Sequence, residues 1–220
     1  MGAGWRQTAR GAPGSGADER GRTGSRRRTG LVAVVQMNED ERQIFHLALG
    51  LALIATVQLI GVELSAYVVG VSLVVGLVLV HIKLSYVHLG KLEWLIERFE
   101  RPGVLAGYGA MTFTAAVLCI LTLLPSQPQI MASLAILGIG DSASTIFGRR
   151  SRRPLPHNAK KTAGGTIAFF VFSAPFALYF AGASALPVCT LAALAESAES
   201  KIDDNLIVAV ACVVLFRLLG

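Results

Sequence analysis

Long apolar segments constrain the fold of this chain more than any other feature. A transmembrane helix needs about 20 apolar residues, and the first, second, third and fifth segments have that length. The sixth is too short to cross a membrane unless it extends into the polar stretch after it. The seventh is also a weaker candidate for a transmembrane helix. The segments cover residues 44–62, 64–82, 104–124, 130–147, 164–181, 186–195 and 206–219. The pattern predicts an all-α, polytopic transmembrane bundle.

The basic residues predict how this bundle is oriented. The linker at residues 83–101 contains four Lys or Arg residues, and the linker at 148–162 contains six and no acid. Alternate linkers contain none, and Arg217 is the exception to the pattern. Cytoplasmic loops are enriched in Lys and Arg. We therefore predict about seven spans with a cytosolic N-terminus, and a short amphipathic helix at the interface around residues 92–99.

Residues 1–36 have a different composition from the rest of the chain. They are rich in Gly, Arg and Ser, and their seven Arg and two acidic residues account for +5 of the net charge of +6. Such a composition predicts a disordered basic tail, with Met37 as a possible true start and a membrane domain at 37–220. Because no aromatic residues alternate with a basic face, nucleic acid is not an expected partner.

Asp141 lies in the first of three polar stretches, GIGDSASTIFGRR. A carboxylate at membrane depth costs about 2.5–3.5 kcal/mol on insertion scales, so it is a candidate functional residue. Gly140 beside it allows the backbone to bend. The alternative is an acid at a helix end in the membrane interface.

The second stretch, RRSRRPLPHNAKKTAGG, is strongly basic. It is either a loop that contacts lipid headgroups or a polyphosphate site that uses Arg and Lys contacts. Lys160 and Lys161 favour the phosphate site, because a helix is expected to begin just after them and helix N-termini bind phosphate.

The third stretch, ESAESKIDDN, groups four carboxylates, those of Glu196, Glu199, Asp203 and Asp204. Mg²⁺ prefers one or two carboxylates together with phosphate oxygens. The alternatives are a solvated acidic turn and a cap for the last helix. Since all three stretches are predicted on one face, together they indicate binding of a magnesium nucleotide.

These stretches resemble the signature sequences of the dolichol kinase family of membrane lipid kinases, which includes phytol kinase and CTP-dependent diacylglycerol kinase. The first span, with Arg42 and His46, is also similar to that family, and the likeness covers residues 40–220. The matching positions, in order, are Gly140-Asp141, Gly148-Arg149, Lys161-Thr162 with Gly165, and Asp204-Asn205.

The resemblance implies a CTP-dependent kinase that uses Mg²⁺ to phosphorylate the hydroxyl of a membrane lipid alcohol, such as a polyprenol, dolichol or diacylglycerol-like lipid. Asp141, Lys161 and Asp204 would be catalytic, with Asp141 and Asp204 as metal ligands and Asp204 alternatively as the proton acceptor. His46 and Glu199 are further candidates. The residues expected to contact nucleotide or phosphate are Gly140, Arg149, Lys160, Thr162, Gly165 and Asn205.

Two other functions are consistent with the same residues. A membrane cytidylyltransferase that makes a CDP-lipid needs the same charges on the same face. A transporter or structural membrane protein needs the basic loop only to set its topology. The expected location is the cell membrane in a prokaryote, which the short chain favours, or the endoplasmic reticulum in a eukaryote.

Overall fold

The structure is a computed structural model, and it describes residues 38–85, 98, 104–105 and 107–219. The predicted tail, the start at Met37 and the predicted interfacial helix at 92–99 lie outside these residues, apart from Arg98. Helices dominate the described part, as the apolar periodicity predicts. They are α1 Glu39–Leu84, α2 Tyr108–Leu123, α3 Gln127–Ala135, a π-helix Ile136–Gly140, α4 Asp141–Gly148, α5 Ala163–Ala181, a 3-10 turn Gly182–Ser184, α6 Ala185–Ser197 and α7 Asp204–Leu219.

A small antiparallel hairpin interrupts the helices within the basic segment. Strand β1 is Pro154–Leu155 and strand β2 is Asn158–Thr162. Pro154 and Pro156 cannot continue a helix, so the chain is extended here until Thr162 caps α5. The hairpin is the only departure from an all-α fold in the described part of the chain.

Helix α1 begins at a capping box. The side-chain oxygen of Asn38 accepts a hydrogen bond from the backbone of Asp40 at 2.8 Å, and Glu41 accepts one from the backbone of Asn38 at 3.2 Å. These bonds satisfy N–H groups that have no partner inside the helix. The structure therefore starts the first apolar helix five residues before the apolar segment itself.

Helix α1 reverses direction at Gly61, whose φ of 83° is open mainly to glycine. The ring of His46 lies 4.4 Å from that of Phe113, while Val80 lies against Gly107, where an added Cβ would approach it to 2.8 Å. In a straight helix His46 and Val80 would be about 51 Å apart. Their contact partners, Phe113 and Gly107, are however only about 9 Å apart along α2. The two halves of α1 are therefore antiparallel.

A second reversal joins α5 to α6 at Gly182, which has φ 67°. Ser173 Oγ on α5 lies 3.0 Å from Cys189 Sγ on α6. In one straight helix these residues would be about 24 Å apart. The two helices therefore pack as an antiparallel pair, and the start of α5 lies beside the end of α6.

Three helical stretches in the described residues are long and apolar enough to cross a membrane: Glu39–Leu84, Gln127–Gly148 and Ala163–Ser197. Gln127–Gly148 is the central one, with 78% of its most apolar window buried, against 17% and 28% for the other two. Many apolar side chains of the outer helices are exposed, as expected where lipid surrounds a protein.

Gly50 of α1 and Gly138 of the π-helix meet at a close crossing. A Cβ added to either residue would lie 3.0 Å from the Cα of the other. Side chains there would push the two segments apart. Gly50 is one helical turn after His46, and Gly138 is three residues before Asp141. The close contact between the two glycines therefore fixes where His46 and Asp141 lie relative to each other.

Candidate functional site

The two reversals bring five distant parts of the chain together at one end of the bundle. They are the beginning of α1, the π-helix junction, strand β2, the end of α6 and the beginning of α7. The side chains that meet there are His46, Asp141, Lys161, Glu196 and Asp204. At the opposite end, the guanidinium of Arg217 donates two hydrogen bonds to the carbonyl of Leu123. Arg217, the exception to the charge pattern, thus caps α2.

Asp141 is the first residue after the π-helix. Short π-helical segments within α-helices are often found at functional sites. Nε2 of His46 lies 3.6 Å from Oδ2 of Asp141, and it is buried without a hydrogen-bond partner in the described part of the chain. Because 3.6 Å is too long for a direct hydrogen bond, Nε2 of His46 is a polar group available for a ligand beside the Asp141 carboxylate.

The carboxylates of Asp141, Glu196 and Asp204 form an acidic cluster, with one oxygen from each within 4.8 Å of the others. Two oxygens on opposite sides of a Mg²⁺ ion are about 4.2 Å apart, so a small closure would allow all three to bind one ion. All-oxygen ligands are those that Mg²⁺ and Ca²⁺ prefer. The donor set therefore fits a hard divalent cation.

Glu196 is the most buried member of this cluster, with 1% of its surface exposed. Its carboxylate accepts a hydrogen bond from Ser144 Oγ at 3.0 Å and forms an ion pair with Lys161. An unpaired buried carboxylate would cost several kcal/mol. Lys161 and Ser144 therefore make the burial of Glu196 possible.

Lys161 lies between two carboxylates, those of Glu196 and Asp204. Its Nζ donates to Glu196 and, at 2.8 Å, to Oδ2 of Asp204. Burial lowers the pKa of the Lys161 ammonium, but Glu196 and Asp204 raise it by more, and the resulting pKa lies above its ordinary value. Lys161 therefore carries a positive charge at neutral pH, and a cation bound at the cluster would compete with it.

Asn158 positions the strand that carries Lys161. Its amide nitrogen lies 3.2 Å from the carbonyl oxygens of both Ser197 and Ala198, and its amide oxygen accepts from the backbone of Lys160. The side chain is buried. Asn158 thus attaches strand β2 to the end of α6. This attachment is three residues before Lys161 in the strand and one residue after Glu196 in the helix.

Lys160 and Arg149 lie in different surroundings from Lys161. Lys160 is exposed, whereas Lys161 beside it in the same strand is partly buried. Arg149 has half its side chain exposed and donates to Asp40 at the start of α1 at 2.8 Å. The structure gives neither residue a contact with the acidic cluster.

Three motif residues pack α4 tightly against α5. The hydroxyl of Thr162 donates to the carbonyl of Gly148 at 3.1 Å and accepts from the backbone of Gly165 at 3.2 Å. A Cβ on Gly165 would lie 2.8 Å from the carbonyl oxygen of Ser144. Thr162 and Gly165 thus have structural roles that explain their residue types. Likewise, a Cβ on Gly140 would meet the ring of Phe169 at 2.8 Å.

The beginning of α7 places Asp204 in the cluster and uses Asp203 as its cap. Oδ1 of Asp203 accepts from the backbone N–H of Asn205 at 3.1 Å and from its side-chain amide at 3.0 Å. Oδ1 of Asn205 is buried without a hydrogen-bond partner among the described residues. Asn205 therefore has an acceptor available beside Asp204.

Of the two glutamates in the third polar stretch, Glu196 joins the cluster together with Asp204, whereas Glu199 is exposed beyond the end of α6. The sequence contains a signal for this choice. Cys189, Ala192 and Ala193 form the buried stripe of α6, and Glu196 continues it three and four residues later. Asn158 has no comparable signal, because its partners are backbone carbonyls about 40 residues away.

Sequence comparison identifies an archaeal relative. The chain is 31% identical over 173 residues to Uncharacterized protein MJ1137 of Methanocaldococcus jannaschii, and the match covers 77% of this chain and 88% of the archaeal protein. The chain belongs to the same family as this protein. No protein-family model and no solved structure matches the chain significantly. The relative's name states no activity.

Proposed function

We propose that the chain is a membrane-embedded lipid kinase that transfers the γ-phosphoryl group of CTP to the hydroxyl of a lipid alcohol. The observation that carries the proposal is a cluster of three carboxylates, two of which pair with Lys161, at one end of a bundle of apolar helices. Phosphoryl transfer depends mainly on positioning and charge neutralisation, and this cluster supplies both signs of charge. The choice of CTP rests on the resemblance to the dolichol kinase family.

The residues of the cluster have distinct proposed roles. Asp141, Glu196 and Asp204 would hold Mg²⁺, which when bound neutralises phosphate oxygens. Lys161 would turn from its carboxylate partners towards the transferred phosphate. The lipid oxygen attacks the γ-phosphorus and CDP leaves. The half-exposed Asp204 is the candidate to accept the hydroxyl proton, as an alternative to its role as a metal ligand.

The proposed topology has seven spans, a cytosolic N-terminus and this cluster at the cytosolic face. It is supported by the reversals at Gly61 and Gly182 and by the distribution of Lys and Arg. In intact cells of a variant without the native cysteines, an impermeant thiol reagent should label Gln127→Cys but not Arg153→Cys. The opposite labelling pattern would reverse the proposed orientation.

The test of the activity uses purified protein in liposomes with Mg²⁺, CTP labelled at the γ-phosphate and a panel of lipid alcohols. We expect label in the lipid extract with CTP, less with ATP, and almost none with the Asp141→Asn variant. Pyrophosphate release with a lipid phosphate as substrate would instead identify a cytidylyltransferase. If folded protein shows neither reaction, and Asp141→Asn and Lys161→Ala leave its cellular function intact, the enzymatic proposal is wrong.

A further inference from the structure

An open groove lies on the outer surface where α4 meets α5. Its volume is about 350 Å³, at the small end of the 300–1,000 Å³ that ligand pockets span. Gly164 and Ala168 contribute small residues one helical turn apart, and Phe147 and Phe172 stack beside them with ring centroids 4.9 Å apart. The groove suits a narrow apolar group such as a single hydrocarbon chain.

The groove follows α5 away from its first turn. The lining residues of α5 extend from Gly164 to Phe172, which corresponds to about 12 Å along the helix. One leaflet of a bilayer contains about 15 Å of hydrocarbon. Ile167 and Val171 are 63% and 54% exposed in a helix of membrane-spanning length. A lipid chain, rather than water or a soluble ligand, is therefore the natural occupant of this surface.

Positive charge lies at one end of the groove. Arg150 and Ser151 line it where α4 ends, and Ser151 packs so closely against the first turn of α5 that a Cβ on Gly164 would lie 2.8 Å from its side chain. Arg150 is 64% exposed in its side chain, and its ion pair with Asp40 is long at 3.7 Å. The N-terminus of α5 adds a partial positive charge. This end favours an anionic headgroup.

We propose that the groove binds one chain of an anionic phospholipid, with the headgroup phosphate held by Arg150 and Ser151. The proposal goes beyond the kinase reaction, because none of the lining residues belongs to the carboxylate cluster. Gly165 and Phe169 pack against Ser144 and Gly140 towards that cluster, and the groove lies on a different face of α5. An arginine beside a lipid phosphate makes charge-assisted hydrogen bonds. In a zwitterionic headgroup, the cation of the headgroup itself offsets the attraction between the arginine and the phosphate.

The test is native mass spectrometry of the purified chain in detergent with equimolar phosphatidylglycerol and phosphatidylcholine that have identical acyl chains. We expect the protein to retain one phosphatidylglycerol in preference to phosphatidylcholine. Arg150→Gln should lower this preference roughly fivefold, the effect of one basic residue near an anionic headgroup. Ala168→Phe should fill the groove and release the bound lipid of either class.

Two matched variants separate the groove from nonspecific attraction. Arg152→Gln removes the same charge from the same loop, and Val210→Phe enlarges an exposed apolar residue of α7; neither residue lines the groove. Both should retain lipid as the wild type does. The proposal is overturned if the wild type and Arg150→Gln show the same preference for phosphatidylglycerol. It is also overturned if Arg152→Gln loses as much of this preference as Arg150→Gln, or if Ala168→Phe still retains the lipid. Because Arg150 is exposed, its variant remains informative if Ala168→Phe does not fold.

Discussion

Two parts of one basic segment occupy opposite environments. The four arginines between residues 149 and 153 are exposed, and the two with carboxylate partners both meet Asp40 at the surface. Lys161, at the end of the segment, has only 22% of its side chain exposed and lies between Glu196 and Asp204. The sequence shows one run of positive charge, whereas the structure has a surface part and a buried part.

The difference shows that burial, more than charge, decides what a basic residue contributes. An exposed ion pair is worth about 0–1 kcal/mol, because water and salt screen it. Breaking a buried pair costs about 3–5 kcal/mol, because the remaining partner keeps its charge away from water. The same loop can therefore contact headgroups through its arginines and serve the carboxylate cluster through Lys161.

The largest expected effect is on activity, and it compares two adjacent lysines. Lys161→Met should lower CTP-dependent phosphoryl transfer by about 10²–10³-fold, the usual effect of removing one group that stabilises transition-state charge. Lys160→Met removes the same charge from the exposed face of the strand and should change the rate by less than about twofold. Equal losses in the two variants would contradict the assignment of Lys161.

The second comparison concerns two glutamates of the same stretch. Glu196→Gln should lower the free energy of unfolding by about 3 kcal/mol, because Lys161 would lose a buried partner. Glu199→Gln, at an exposed position, should remain within about 0.5 kcal/mol of the wild type. Chemical denaturation in detergent micelles measures both values, and similar values for the two variants would exclude a special role for Glu196.

The third comparison tests how strand β2 is held. Asn158→Ala removes the amide donor that faces the carbonyls of Ser197 and Ala198 and should cost about 1–3 kcal/mol. It should also lower phosphoryl transfer, because Lys161 would lose its fixed position. His157→Ala, at the exposed neighbouring position, is the control. Full activity in Asn158→Ala would show that other contacts are sufficient to hold Lys161.

The pH dependence of stability tests the charge state of Lys161. The surroundings of Lys161 raise its pKa overall. The stabilisation that its charge gives to the folded state is therefore complete below the ordinary lysine pKa of about 10.4. It declines only as pH rises through the higher folded-state value. The stability difference between the wild type and Lys161→Met should thus be constant from about pH 7 to 10. A difference that shrinks between about pH 7 and 9 would mean that burial dominates and lowers the pKa.

The smallest expected effect is at the exposed end of the segment. Arg149→Gln should change the free energy of unfolding by about 0.2–1 kcal/mol, and added salt should reduce that difference. If Arg149 contacts the triphosphate as the resemblance implies, the variant should raise KM for CTP and leave kcat unchanged. Arg152→Gln is the matched control, and a large loss of stability in Arg149→Gln would show that the Asp40 pair is not a surface contact.

Much of the fold follows from local pattern. The helices found at 127–148, 163–181 and 204–219 agree with predicted apolar segments to within a few residues, because apolar runs of this length favour helices. The sixth segment does extend into the polar stretch, as far as Ser197. The hairpin at residues 154–162 was missed, since Pro154 and Pro156 indicate only where a helix cannot continue.

The site was predictable in outline but not in detail. Asp141, Lys161 and Asp204 stand out because charged residues beside apolar segments need a reason. Thr162 and Gly165 were predicted to contact nucleotide, and their roles in packing α4 on α5 appear only when both helices are in place. Asn158 gave no signal, because its bonds are to backbone atoms of a distant segment.

The sequence by itself determined that the chain is a set of apolar helices and that its unusual charges gather in three short stretches, because hydrophobic periodicity and charge are local properties. The tertiary structure alone decided that Lys161 rather than Lys160 pairs with Glu196 and Asp204, and that Asp141 lies beside those two carboxylates. Those contacts join residues 35 to 63 positions apart. They depend on where the chain reverses at Gly61 and Gly182 and on how closely glycine pairs allow helices to approach, and no local pattern contains that information.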